Sequence, residues 1–561
     1  MNKQQMGSRW GTRLGRIVAA AVLIGAVGTT FDRAEGFQIK TGNPDVKIAW
    51  DNTFKYNAAW RLEKSSDELT AGINQDDGDR NFDGGLFTNR INLLSELDMT
   101  YRRFGVRASG AAWYDTVYND ENDHDSPSSA NQTSVRYDRF TDDTEKLHGR
   151  KMELLDAFVF GGWDIGQGRA SFRAGRHTLL WGESVFFGSN GIANGQAPVD
   201  IQKAQSVPGT PFKELMRPVA QVSSQVQISQ NITIGAYYQF EWEENRLPAV
   251  GSYFSGSDVV GDGGERLLAG PPFRPGGGPK AFFRGDDMEA SDTGQYGLQL
   301  RFRFPNGETD YGLYAIRYHE KGAQIYTRPT AGAPNLQTGQ LGTYQLVYPE
   351  NVTALGASLT RTIENVNLAA EVSARFDTPL ISKSQTVVPG TRADNDDNPL
   401  YAVGDSLHAQ MSALWTVPRT PLFQEASFMG EVAWNQRTRI SDNSAVLDPN
   451  TSKDAWGFRF TFTPTYRQAL PGLDIGVPLG LGYNPRGRSS VVPAFNNSGV
   501  DEGGDVSGGL DLTYLDVWRV GLRYTHYFGE TGPFLDATNA RSFEQNMNDR
   551  DFVSFAISRT F

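Results

Sequence analysis

The chain has 561 residues, no cysteine, 61 glycines, 12% aromatic residues and a formal net charge of −12. That length allows several soluble domains or one large barrel, and the lack of Cys removes any disulfide framework. The acidic balance argues against nucleic-acid binding, and a 39% hydrophobic content spread along the chain excludes a bundle of transmembrane helices.

The first segment reads as an address. Lys3, Arg9, Arg13 and Arg16 precede one apolar run over 17–28, too short to span a bilayer, and Ala34-Glu35-Gly36 offers a small-x-small cleavage site. A secretory signal peptide is expected over 1–36, removed before Phe37, with 37–45 left as a short periplasmic segment. The barrel is expected over 46–561.

From Val46 the pattern alternates at period two. Val46, Ile48, Trp50, Phe54, Tyr56, Trp60 and Leu62 oppose Lys47, Asp51, Thr53, Lys55, Asn57 and Arg61. Such alternation suits a strand with lipid on one face and water on the other, with aromatic residues near both ends. It recurs in pairs. Strands are predicted at 46–62, 90–102, 105–118, 151–163, 169–176, 219–228, 232–243, 295–304 and 309–319. Further strands are predicted at 352–361, 367–376, 406–417, 425–436, 456–466, 473–483, 509–515, 518–528 and 551–561. The predicted fold is an all-β transmembrane antiparallel barrel of about eighteen strands, or sixteen if one short hairpin is lost. Its connections alternate between short turns such as Arg103-Phe104 and long loops such as 244–294. This is the asymmetry of short periplasmic turns and long extracellular loops. The strand at 551–561 carries Val553, Phe555, Ile557 and Phe561 on one face, interrupted only by Arg559. It must pair with the first strand, since an open edge does not survive in lipid. A strand ending in Phe561 also resembles a signal read by the barrel-assembly machinery.

The loop from His177 to Pro218 differs from the rest. It carries Leu179, Leu180, Trp181, Phe186, Phe187, Ile201, Phe212 and Met216, which need cover from water. The lumen of a wide barrel provides that cover. Trp181, Glu183, Asp200, Lys203, Glu214 and Arg217 would then line a constriction; the alternative is a cap on the barrel rim. Inward charges of both signs are expected on the wall, among them Arg301, Arg303, Glu241, Glu243, Arg519 and Arg523.

No catalytic constellation emerges. None of the six His falls in a metal-binding spacing, and W-G-E-S at 181–184 lacks the Gly that follows Ser in a nucleophile elbow. Asp79-Arg80-Asn81-Phe82-Asp83-Gly84 opens like a calcium loop, but Arg90 stands where the closing Glu belongs. No enzyme activity, metal or cofactor is expected.

Several stretches together resemble domain-of-unknown-function family 1302 of Gram-negative outer-membrane proteins. They are P-D-V-K-I-A-W-D-N-T-F-K-Y-N (44–57), N-Q-D-D-G-D-R-N-F-D (74–83), N-R-I-N-L-L-S-E-L-D (89–98), G-R-H-T-L-L-W-G-E-S (175–184) and Y-Q-F-E-W-E (238–243). The resemblance implies an outer-membrane location and supplies no catalytic residues. It also implies association with periplasmic lipid-carrier-like proteins and inner-membrane pumps. Gln196-Ala197-Pro198 departs from the Asn-Pro pair common in the family. Two functions are carried forward. One is a channel for small amphiphilic or aromatic solutes with a loop constriction. The other is a lipid-handling or export component working with envelope partners.

Overall fold

The computed structural model describes residues 37–166, 168–207 and 212–561, so the predicted signal peptide lies outside the described residues. The wall strands are numbered in chain order. The first nine are β1 (Val46–Arg61), β2 (Gly85–Tyr101), β3 (Phe104–Asp115), β4 (Arg150–Ile165), β5 (Gly168–His177), β6 (Val219–Ser229), β7 (Ile232–Gln239), β8 (Tyr296–Arg303) and β9 (Thr309–Tyr318). They continue as β10 (Val352–Ile363), β11 (Val366–Pro379), β12 (Val403–Val417), β13 (Glu425–Asp442) and β14 (Asp454–Leu470). The remainder are β15 (Leu473–Gly476 and Leu479–Arg486), β16 (Gly504–Tyr514), β17 (Trp518–Phe528) and β18 (Phe552–Thr560). Each pairs antiparallel with its neighbours in sequence, and β18 closes on β1 from Thr53↔Thr560 to Arg61↔Phe552. The result is a closed barrel of eighteen strands. Closure satisfies every ladder edge internally, as a strand protein in lipid requires.

The two strands whose predicted lengths fell short of a crossing are longer than their apolar pattern. β5 has ten residues and β16 eleven. In β16 the run Gly503-Gly504 and Gly508-Gly509 hides the alternation, because glycine signals neither face. β15 breaks at Val477-Pro478, where Pro478 has no N–H to donate. Its carbonyl still accepts from Gly509 N at 3.0 Å.

The outer face is apolar. Trp50, Tyr114, Trp163, Leu298 and Met411 are all exposed there, and Met152 reaches 84%. The inner face is polar and partly buried by other parts of the chain, including Glu371, Arg375, His408, Gln410, Glu431, Asn435 and Arg459. The segment Phe37–Ile39 pairs with Ile48–Trp50, continuing along β1 beyond the end of β18.

The long loops are built, not loose. Three of them contribute a five-stranded mixed sheet in the order 385–386, 324–329, 340–347, 280–284, 266–270. Its Tyr326, Tyr344, Leu346 and Val347 are wholly buried. Over the β18–β1–β2 end, Arg61 pairs with Asp79 at 2.6 Å and Asp549 at 3.0 Å. Arg550 Nη1 donates to the carbonyls of Tyr253 (2.5 Å) and Ser255 (2.9 Å). Phe87 stacks on Tyr253 at 3.7 Å within a cluster that includes Phe82, Tyr118, Phe254 and Phe552. Asp79, the first residue of the calcium-like motif, is therefore taken up by two arginines.

Candidate functional site

The loop between β5 and β6 runs across the inner face of the wall. Its first half is held by two wall carboxylates. Glu371 on β11 accepts from Glu183 N at 2.7 Å and from Ile192 N at 2.6 Å. Glu431 on β13 accepts with one oxygen from Val185 N (3.1 Å), Phe186 N (2.5 Å) and Phe187 N (2.9 Å). Three successive amides turned onto one oxygen form a backbone nest for a negative group. Glycine makes the approach feasible: Gly182 has φ +88°, and a Cβ there would strike Glu371 Oε2.

Neutral and cationic groups complete the seat. Asn190 Oδ1 meets His408 Nδ1 at 3.0 Å and accepts from Asn435 Nδ2 at 3.1 Å. Arg375 Nη2 donates to the carbonyls of Ser189 (2.8 Å) and Gly191 (3.0 Å). Trp181 packs edge-on to Tyr237, centroids 5.0 Å apart, and its N donates to Gln196 Oε1 at 2.5 Å. Gln196 is thus a strut within the loop; its carbonyl also accepts from Gln239.

The second half of the loop packs back on the first, with Phe212 N donating to the Val185 carbonyl at 2.8 Å, and reaches toward β4. A short helix at Ile201–Ser206 is capped by Asp200, whose Oδ1 accepts from Lys203 N at 2.9 Å. Asp200 also pairs with Arg246 at 3.1 Å, and Arg246 pairs with Glu153 on β4. Gln202 Nε2 lies 3.2 Å from His148 Nδ1. Burial among cations holds the His148 imidazole far below its ordinary range, so it serves here as a neutral ring.

The family described as Protein of unknown function (DUF1302) matches residues 13–561. The chain belongs to it. No curated protein matches the sequence significantly. Among solved structures, the chain is similar to Pseudomonas aeruginosa OccK2 (OpdF) in complex with glucuronate, at 10% identity and TM-score 0.38, over 92% of this chain and 98% of that one. It is also similar to the outer membrane channel DcaP of Acinetobacter baumannii, at 8% identity and TM-score 0.38, over 94% and 100%. A third is Acinetobacter baumannii OccAB4, at 10% identity and TM-score 0.41, over 92% and 100%.

In this DUF1302 barrel the six loop residues fall into two groups. Trp181 and Glu183 belong to the anchored half, with the Glu183 carboxylate 3.8 Å from Arg301 of β8. Asp200, Lys203, Glu214 and Arg217 belong to the half near β1–β4 and β7. There Lys203 Nζ donates to the Glu214 carbonyl at 2.9 Å, and Arg217 pairs with Glu243 at 2.7 Å. Glu241 and Glu243 both pair with Arg176. Arg303 pairs with Asp310 across a short turn, at the periplasmic mouth. Arg519 is exposed near the turn at 515–517, and Arg523 pairs with Asp511 at 3.3 Å. Period-two alternation puts Glu371 and Glu431 on the inner face but names no partner for either. The signal was there in part: each acid stands among small or neutral inward residues, while the loop opposite carries Gly182, Gly188 and Gly191.

A second cluster lies in the outer loops. Asp76, Asp77 and Asp258 bring carboxylate oxygens within 4.8 Å of one another, all buried. Asp258 accepts from Asp76 N (2.9 Å) and Asp77 N (3.2 Å), capping the turn at Asp77–Arg80 from another loop. Arg80 Nε meets Asp76 at 2.5 Å and His124 Nε2 meets Asp77 at 2.9 Å. Burial, then the charges of Asp77 and Asp76, push the Asp258 carboxyl well above the usual carboxylate range. Burial and Asp77 likewise raise Asp76. The cluster ties loop 62–84 to loop 240–295.

Proposed function

We propose that this protein is a passive outer-membrane channel for small solutes, narrowed by loop 177–218. A barrel of this strand number encloses an aqueous lumen unless something fills it. One observation carries the reading: the loop is held by Glu371 and Glu431 of β11 and β13, and its Asp200 is held by Arg246, which pairs with Glu153 of β4. A segment held this way reduces the bore without touching a wall ladder. Inward aromatic side chains, Trp113, Phe158, Phe160 and Trp181, suit amphiphilic or aromatic solutes. The constriction and its solute class are tested by planar-bilayer recording of the purified protein. Steady single-channel conductance that falls in the presence of an aromatic acid such as benzoate supports the reading. A folded barrel that conducts nothing favours the lipid-handling or export component instead.

A further inference from the structure

Many cations near the inner face have an acid beside them. Arg107 pairs with Glu96 and Asp98, Arg459 with Asp505, Arg217 with Glu243, and Arg246 with Glu153 and Asp200. Three others gather on the β1–β4 side. Lys55, Arg90 and Lys203 make no ion pair among the described residues.

They are held close together. The register Lys55↔Asn92↔Trp113↔Lys151 sets four inward residues in one row across β1 to β4. Arg90 stands one inward position beyond Asn92, donating from Nε to Asn92 Oδ1 at 2.5 Å, with its guanidinium 4.3 Å from the Trp113 ring centroid. Lys203 comes from the loop. Beyond its desolvation within the barrel, Lys55 has Lys203 and Arg90 as charged neighbours, with Glu214 opposing them. Lys55 and Lys203 are both exposed to the lumen. Nearby acids are engaged elsewhere: Asp115 accepts from Asn89 N and Val117 N, and Asp200 and Glu153 hold Arg246. Glu214 makes no ion pair among the described residues, and its charge acts on Lys55. The row lies half a turn of the ring from Glu371 and Glu431, the side the anchored loop occupies.

Arg90 faces Asp115 across the β2–β3 register, but none of the three cations is closed into an ion pair among the described residues, so the like charges repel one another and a passing anion relieves that repulsion. We propose that Lys55, Arg90 and Lys203 form an anion-accepting step in the lumen, taking solutes with a carboxylate or similar anionic head group. Trp113 and the aliphatic stem of Lys55 flank the step and present apolar surface to the body of such a solute. The proposal rests on the channel reading and adds the charge of what passes. A unit charge acting across about 7 Å of water changes the local concentration of a monovalent ion about threefold.

The test is the reversal potential of the purified protein in a planar bilayer under a KCl gradient. The wild type is expected to prefer chloride over potassium. Lys55→Gln, Arg90→Gln and Lys203→Gln should each lower that preference about threefold, while Lys47→Gln, near the periplasmic end, leaves it unchanged. Benzoate added on the extracellular side should reduce wild-type current at concentrations that leave the triple variant unaffected. Heat-modifiable migration on gels certifies that each variant is folded, and the wild-type reversal potential needs no variant at all. A conducting wild type that prefers potassium or neither ion overturns the anion step and leaves the channel reading intact. A folded triple variant with wild-type selectivity overturns it too. A wild type with no conductance overturns both.

Discussion

Glu371 and Glu431 meet the loop through its backbone, so the seat depends on charge and shape, not on loop side chains. Hydrogen bonds to a charged group are worth about 1.5–3 kcal/mol each, and a buried amide left without an acceptor costs about as much as it gained. Glu431→Gln keeps the size but loses the charge that three amides share. It is expected to leave the barrel folded while single-channel recordings become noisier and their mean conductance rises. Quiet, wild-type traces from a folded Glu431→Gln protein would show that the loop is seated by its apolar contacts alone. At the other end of the chain, Phe561 exchanges both backbone hydrogen bonds with Asn52 at 2.9 Å and stacks on Phe54, centroids 5.7 Å apart. Deleting Phe561 should lower the folded fraction on heat-modifiable gels. Arg559→Ala removes only a contact with Trp518 at 5.1 Å, about 0.5–1 kcal/mol, and should be mild. Equal folded fractions for the deletion and the parent would contradict the closing-strand account. At this scale the sequence announced which residues face inward, by period two. It did not announce who meets whom, because the partners of Glu371 and Glu431 lie more than 170 residues away in the chain.

The wall strands were legible because each must present a continuous apolar face to lipid. The five-stranded sheet outside the membrane was not. Its strands at 266–270, 280–284, 324–329 and 340–347 sit among Gly, Pro and Asp, and they obey no lipid-imposed alternation. The same loops carry the Asp76–Asp77–Asp258 cluster, and its pH dependence has a definite sign. A carboxyl raised in the folded state stabilises fully below its unfolded value, and the contribution is lost as pH rises through the folded one. The loop cap should therefore loosen as pH rises from the ordinary carboxylate range toward neutrality and above. Asp76, Asp77, Arg80 and His124 face the same cluster, so the comparison is made against Asp258→Asn. That variant should keep the cap's protection in hydrogen exchange across this window, while the parent loses it. Parallel pH profiles for the two proteins would remove Asp258 from the account. The connections themselves can be placed by labelling single cysteines on intact cells. A cysteine at Gly276, in an exposed tip of the loop sheet, should react, and one at Asn231, in a two-residue turn, should not. Labelling at Asn231 would invert the topology.

On the scale of the whole molecule, one loop is fastened to the inner face of an eighteen-stranded wall. The anchored half of that loop fills the side of β11 and β13. Its other half lies near β1 to β4, where Lys55, Arg90 and the loop's own Lys203 make no ion pair among the described residues. The loop's role was suggested by its composition, since apolar residues in a long exterior connection need cover. Its division into two halves was not, because that depends on which wall charges it meets. The most direct test replaces 185–212 with a short Gly-Ser linker and records single-channel conductance. No wall strand is touched, so a folded barrel with higher conductance, faster passage of bulky solutes and weaker discrimination between solutes is expected. A folded, shortened protein that conducts and discriminates as the parent does would contradict the claim that this loop narrows the pore.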